Sequence, residues 1–199
     1  MSFSTDKAFS LPKNDVRYIE SGIHENITLI NVVKNVSTNG SNFLEFTFAN
    51  EAGATMKHTE FEPSSSAQNY EERVLKQMSR ILQILSVFFT KDQLASGDLS
   101  TVNDFYQWVL NKYNTADKTK KMRIKIVYND KGFTTLPNYS TYTFCESMDI
   151  TEDKSKIRIL SLDKMIRPVA DKEPAANNPF MNPVITTPVI DGTIPGMPF

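Results

Sequence analysis

The chain has 199 residues, of which 40% are hydrophobic and 11% aromatic, and a formal net charge of −1 at pH 7. This composition supplies enough apolar surface for a domain core, which excludes a wholly disordered chain. A nearly neutral chain has no overall attraction for polyanions, so nucleic-acid binding would require a local basic patch. Because the only cysteine is Cys145 and the only histidines are His24 and His58, we expect no disulfide and no structural metal site, and we assign no cofactor.

Three common catalytic motifs are missing from the sequence. It contains no glycine-rich phosphate loop, no nucleophile elbow and no zinc-protease motif, so we expect a protein without enzymatic activity. The N-terminus lacks the basic start and apolar run of a signal peptide, and the longest apolar stretches, such as residues 84–89, are too short to span a membrane. We therefore expect a cytoplasmic protein with no membrane partner.

Residues 22–61 show the pattern of strands joined by tight turns. Asn39-Gly40 and the segment 50–53 separate runs of β-branched and aromatic residues, which predicts three antiparallel strands. In the second strand, Leu44, Phe46 and Phe48 share one face. Phe43 lies on the opposite face, and the alternation therefore predicts that it points away from the core. Within residues 26–36 the alternation changes phase, which indicates a bulge or strong coiling of the strand.

The next block has helical periodicity. An apolar stripe with alternating spacings of four and three predicts a first helix; it comprises Val74, Met78, Ile81, Leu85 and Phe88. A second helix begins near Ser100 or Thr101, whose hydroxyl can cap the first turn. Its apolar face comprises Val102, Phe105, Tyr106, Val109, Leu110 and Tyr113.

A strand pattern returns after the helices. In residues 122–128, apolar side chains alternate with a set that includes Arg123 and Lys125, which predicts a strand with one polar face. Tyr142 to Phe144 and Ile157 to Leu162 predict two more strands. The resulting order of β-β-β, α-α and β-β-β favours a mainly β fold with some helix: a five- or six-stranded antiparallel barrel with a helical pair inserted at about residues 66–114.

Proline distribution divides the chain further. Seven of its ten prolines lie between Pro168 and the C-terminus, in a segment without apolar periodicity. Closely spaced prolines prevent both helices and ladders, so we predict a flexible tail over residues 169–199. The predicted organisation is an N-terminal arm (1–21), a barrel domain (22–168) and this tail.

Positive charge is concentrated between Lys112 and Lys125. This stretch holds six cations against one acidic residue, Asp117, and the cations are Lys112, Lys118, Lys120, Lys121, Arg123 and Lys125. Such a cluster can neutralise several phosphates and release their counterions. The alternative is a solvated loop and an edge strand that lysines protect from aggregation.

Aromatic residues are the second feature of single-strand binders, which combine a basic groove with aromatic faces on which bases stack. Phe43 is predicted to be on the outside, and Tyr139 and Tyr142 lie near the start of a predicted strand. The alternative is that a small barrel needs aromatic side chains to fill its interior.

The sequence also resembles a known family. The run from Gly22 to Phe61, with its Asn39-Gly40 turn, its Phe43-Leu44-Glu45-Phe46 strand and its 50–53 turn, resembles the opening strands of bacteriophage-encoded single-stranded DNA-binding proteins with an OB fold. The C-terminal tip is similar to the Pro-Phe end of bacterial and some viral single-stranded DNA-binding proteins. The resemblance implies an OB-like barrel that coats single-stranded DNA in phage replication or recombination, in the host cytoplasm. The tail also ends in apolar residues on a proline-rich tether, which predicts docking on a replication or recombination protein through Ile194, Met197 and Phe199; the alternative is an inert solubilising tail.

These observations predict one binding face. Its members are Phe43, Lys57, Lys120, Lys121, Arg123 and Lys125, with Tyr139 and Tyr142 as secondary stacking residues. The alternative is a non-enzymatic structural or assembly protein of a phage particle, which uses the barrel and the tail for protein contacts. The position of the basic cluster separates the two, because only a groove beside aromatic residues suits nucleic acid. A third alternative, a metal-dependent nuclease, would require several carboxylates to converge in the fold. The sequence leaves the oligomeric state open.

Overall fold

The computed structural model describes residues 17–95 and 99–168. Two blocks of strands flank a block of helices. The strands are β1 (Gly22–Val36), β2 (Asn42–Ala49), β3 (Thr55–Phe61), β4 (Met122–Tyr128), β5 (Thr134–Thr135) and β6 (Cys145–Ser147). The helices are α1 (Tyr70–Leu85), α2 (Lys91–Leu94) and α3 (Val102–Thr115). The prediction of a mainly β fold with an inserted helical block is confirmed.

Both strand blocks share one antiparallel sheet. Its order is β3-β2-β1-β4-β5, and β6 pairs with β4. The sheet is not closed into a barrel, so the predicted closure is wrong. Its end strands β3 and β5 meet through a hydrogen bond of 2.8 Å between His58 Nδ1 and Thr135 Oγ1, but no ladder joins them among the described residues. β5 has only two residues, and Pro137 follows shortly after it; proline lacks the N–H that a ladder needs.

Strand β1 bends so that it can serve two partners. Its first residues pair with β4, from Gly22 opposite Ile126 to Ile27 opposite Met122. The rest of the strand pairs with β2. Register shifts lie between residues 24 and 27 and between residues 29 and 31, and Asn26 has a left-handed φ of 57°. The predicted bulge is therefore confirmed, and it redirects the strand between its two partners.

The helices pack on one face of the sheet. The core combines Leu44, Phe46 and Phe48 of β2 with apolar residues of α1 and α3. The helical contributions include Ile81, Ile84, Leu85, Phe105, Tyr106 and Val109. As predicted, Thr101 caps α3: its Oγ1 accepts a hydrogen bond of 3.1 Å from the Asp104 N–H. In the described parts of the chain, no helix is long and apolar enough to cross a membrane.

Residues 151–163 form an irregular segment, which we call the strap, where the sequence predicted a strand from Ile157 to Leu162. The strap begins with a short 3-10 helix (Glu152–Lys154) and lies across β4. Lys125 of β4 donates a hydrogen bond to the carbonyl of Arg158 in the strap. All seven residues of β4 are buried, so the predicted solvent-facing side of this strand is wrong.

Candidate nucleic-acid interface

The side of β1, β2 and β3 that faces away from the core, which we call the outer face, carries polar and aromatic side chains. In β2, Leu44, Phe46 and Phe48 are fully buried, whereas Phe43 is half-buried on the opposite side. The strand register places Phe43 beside Phe61 of β3 and Asn35 of β1. Directly paired residues of antiparallel strands point to the same side of the sheet. Asn35, Phe43 and Phe61 therefore form one cross-strand row on the outer face.

The row contains an aromatic pair, in which Phe43 is half-buried and Phe61 is exposed. The ring centroids of Phe43 and Phe61 are 5.0 Å apart and the rings are tilted by 43°. Phe61 keeps 53% of its surface exposed to solvent. An aromatic pair with an exposed ring beside a polar side chain is a surface on which a planar ligand can stack.

Lys57 lies on the same face, two rows from the aromatic pair. It is opposite Thr47, and its Nζ donates a hydrogen bond of 2.8 Å to Glu45 Oε1 in the row between. The lysine side chain is 63% exposed. The Glu45 side chain is 21% exposed, so the pair is partly buried and Glu45 balances the charge of Lys57 in the absence of a ligand.

Arg123 and Lys125 do not belong to this surface, although the sequence predicted them there. Arg123 is buried, and its Nη1 lies 2.6 Å from Glu146 Oε1 while its Nη2 lies 2.8 Å from Glu25 Oε1. The hydrogen bond to Glu146 and, to a smaller extent, the one to Glu25 raise the pKa of the Arg123 guanidinium. Lys125 is fully buried, with its Nζ 2.7 Å from Asp163 Oδ2 in the strap. Both charges are balanced inside the protein and are unavailable to a phosphate.

Lys120 and Lys121 lie at the surface but apart from the aromatic pair. Lys121 forms an ion pair with Glu51 in the turn after β2, and Lys120 Nζ is 3.9 Å from Asp149 Oδ2. Phe43 is near the other end of β2, about 20 Å away at the usual rise of a strand. The structure therefore separates the predicted basic cluster from the predicted stacking residue.

The two tyrosines differ in exposure. The Tyr139 hydroxyl donates a hydrogen bond of 3.0 Å to Asp163 Oδ1. Burial is the larger cause of a raised Tyr139 pKa, and the bond to Asp163 raises it further. Tyr142 packs edge-on against Tyr139 at 5.5 Å and is 49% exposed. Tyr139 thus belongs to the buried contacts of the strap, whereas Tyr142 remains accessible. The predicted tail residues Ile194, Met197 and Phe199 lie outside the described residues.

A groove beside Phe61 contains cations that the sequence analysis did not select. We call it the α1 groove; it has a volume of about 450 Å³ and is lined by Phe61, Ser64, Arg73, Lys76, Arg80 and Asn138, with Glu62, Pro63 and Gln77. Arg80 donates hydrogen bonds of 2.7 and 2.6 Å from Nε and Nη2 to the two carboxylate oxygens of Glu60. The structure therefore places cationic side chains, together with carboxylates, beside Phe61 on a helix rather than on β4.

Glu60 is the centre of a buried network that holds α1 against β3. Burial opposes its ionisation, but hydrogen bonds from Arg80 and His58 outweigh that effect and lower the pKa of Glu60 to about 2. Gln77 of α1 donates a hydrogen bond of 2.6 Å to the carbonyl of Phe61. This network fixes the end of β3, and with it the position of the Phe61 ring beside α1.

Two sequence signals could have identified these residues. The turn at residues 50–54 sets the β2–β3 register, in which Ala49 pairs with Thr55 and Phe43 consequently pairs with Phe61. Arg73, Lys76 and Arg80 follow one another at spacings of three and four, which places them on one side of a helix. Neither signal shows that this side of α1 borders β3.

The described residues, 17–95 and 99–168, contain no group of three or more His, Cys, Asp or Glu side chains arranged to hold a metal ion. No protein-family model matches the chain, and no curated protein matches it.

Proposed function

We propose that this protein binds single-stranded DNA, without catalysis, through its outer face. The observation that carries the proposal is the aromatic pair on adjacent strands, in which Phe61 is exposed and Phe43 is half-buried on the same face. Every base has an aromatic face, so such a pair binds unpaired bases with little sequence preference, and each stacked base contributes about 1–3 kcal/mol. Duplex DNA hides these base faces and binds more weakly.

The resemblance to phage single-stranded DNA-binding proteins supports the same function. An OB fold is a five-stranded, partly open barrel that binds oligonucleotides on the face of its second and third strands. Here the aromatic pair lies on β2 and β3. In this proposal the protein coats single strands during phage replication or recombination in the host cytoplasm, and the tail tip around Phe199 docks on a partner protein of that process.

Replacing Phe61 or Phe43 with alanine should weaken binding to oligo-dT by about 1–3 kcal/mol, or roughly 5- to 150-fold, because each change removes one stacking surface. The measurement is a fluorescence titration of labelled oligo-dT, with duplex DNA and single-stranded RNA as parallel ligands. Tyr18→Ala is the matched control, since Tyr18 is 64% exposed but bridges to Thr55 at the opposite end of β3.

Equal oligo-dT affinity for the wild type and both phenylalanine variants would contradict the proposal. That result would favour the alternative from the sequence, a phage structural or assembly protein that uses this face for protein contacts. Tighter binding of RNA than of DNA by the wild type would retain the stacking face and overturn the assignment to DNA.

A further inference from the structure

The α1 groove borders the aromatic pair, because Phe61 belongs to both. Three cations line it from one side of α1: Arg73, Lys76 and Arg80. Residues at these spacings lie above one another on a helix, so their charges form a line along the groove. A nucleic-acid strand stacked on Phe61 therefore meets this line of charge at the rim of the sheet.

Arg80 is held in a fixed orientation in this groove. Glu60 binds its Nε and Nη2, while Nη1 makes no hydrogen bond with any residue that the structure describes. The Arg80 side chain is only 13% exposed, and it lines the groove. A planar guanidinium fixed on one edge keeps donors on its other edge, in the geometry that suits a phosphate oxygen.

Three carboxylates, Glu60, Glu62 and Glu72, accompany the three cations of the groove, so it carries no net charge in the absence of a ligand. Glu60 balances Arg80, and Glu72 pairs with Lys76 across one helical turn at 2.6 Å. The Glu72–Lys76 pair is exposed on both sides, and such pairs are weak enough for a phosphate to replace the carboxylate. Glu62 accepts a hydrogen bond of 2.7 Å from Asn42. Attraction of an anion therefore requires that a phosphate replaces Glu72 beside Lys76 and Arg73.

From these contacts we infer that the α1 groove binds the phosphodiester next to the base stacked on Phe61. This inference rests on the proposed function. The strand crosses from the outer face over Phe61 to α1, where Arg73 and Lys76 neutralise its backbone and Arg80 supplies an oriented donor. The basic cluster predicted around Lys120 lies outside this path.

The double substitution Arg73→Gln, Lys76→Gln tests the inference, because both side chains are on the helix surface and Glu60 keeps its Arg80 partner. The probe is oligo-dT with a hydroxyl at both ends, titrated at several salt concentrations, so that only internal phosphodiesters can bind. Loss of two phosphate contacts should reduce the slope of log K against log salt by about 1.4, at about 0.7 per phosphate for a single strand. The matched control is Lys120→Gln, Lys121→Gln, for which we expect an unchanged slope.

An unchanged slope for the α1 double variant would overturn the inference, as would an equal loss in the control variant. If the phenylalanine variants lose affinity while the α1 variant keeps its slope, the groove assignment fails and the stacking face stands. If the slope falls while the phenylalanine variants bind like wild type, the groove binds phosphodiesters, but the stacking proposal and the position beside Phe61 both fail.

Discussion

Replacing Asp163 with asparagine should lower the free energy of unfolding by about 3–5 kcal/mol, because it leaves the fully buried Lys125 ammonium without its counter-charge. Asp163 also accepts hydrogen bonds from the Tyr139 hydroxyl and the Leu160 N–H, at 3.0 and 2.8 Å. An asparagine side chain has only one acceptor oxygen and cannot replace these contacts. Urea denaturation at neutral pH, followed by circular dichroism, measures the change.

Asp130→Asn provides the matched control for that substitution. Asp130 also forms an ion pair with a lysine, Lys164, but it is 88% exposed. Water compensates the loss of such a pair, so the control should unfold like the wild type. Equal stability of the Asp163 variant and the wild type would show that the strap is not held on β4 by this ion pair.

The second large effect concerns acid and the buried Glu60. Its pKa falls from an ordinary value of 4.5 to about 2 in the folded protein. The unfolded chain therefore binds a proton more readily, and the stabilisation from the ionised carboxylate is complete above pH 4.5 and is lost as the pH falls towards 2. By linkage this stabilisation is about 3 kcal/mol. Glu60→Gln should accordingly be less stable than wild type at pH 7, and the gap should narrow by up to about 3 kcal/mol near pH 2.

Urea denaturation of the wild type and the Glu60 variant between pH 7 and pH 2 gives the free energy of unfolding of each protein. The other carboxylates titrate in both proteins, so their contribution cancels when one free energy is subtracted from the other. Glu72→Gln is the control: Lys76 lowers the pKa of Glu72, but both side chains are exposed and solvent screens the pair, so its substitution should change the pH profile much less. A constant gap between wild type and the Glu60 variant across this range would contradict the role of Glu60 as an ionised partner of Arg80.

The alternation of apolar and polar residues predicted the orientation of side chains correctly in a strand that has one solvent-facing side. The alternation in β2 placed Leu44, Phe46 and Phe48 in the core and Phe43 outside, as the structure shows. The same rule failed for β4, where Lys125 indicated a solvent face but is fully buried. Its counter-charge comes from a segment 38 positions later, and no local pattern encodes such a partner.

The candidate site was predicted only in part for a similar reason. Phe43 was selected because its own strand determines its side, whereas Phe61 required the register between two strands. Arg73 lines the groove only because α1 packs against β3. The hydrogen bond between Arg80 and Glu60, which are 20 positions apart in the sequence, holds the two elements together. Helical periodicity shows which residues share a side, but it does not show what that side faces.

The division of β1 between two partners has a consequence for synthesis on the ribosome. The hairpins of β1 with β2 and of β2 with β3 can form as soon as those residues emerge. The first part of β1 must wait for β4, and the Glu25–Arg123 contact spans 98 positions. Pairing over such separations slows folding, because loop closure precedes the contacts that stabilise it. During that interval the nascent chain carries an unpaired β1 edge, so this step is where chaperone binding or aggregation would compete with folding.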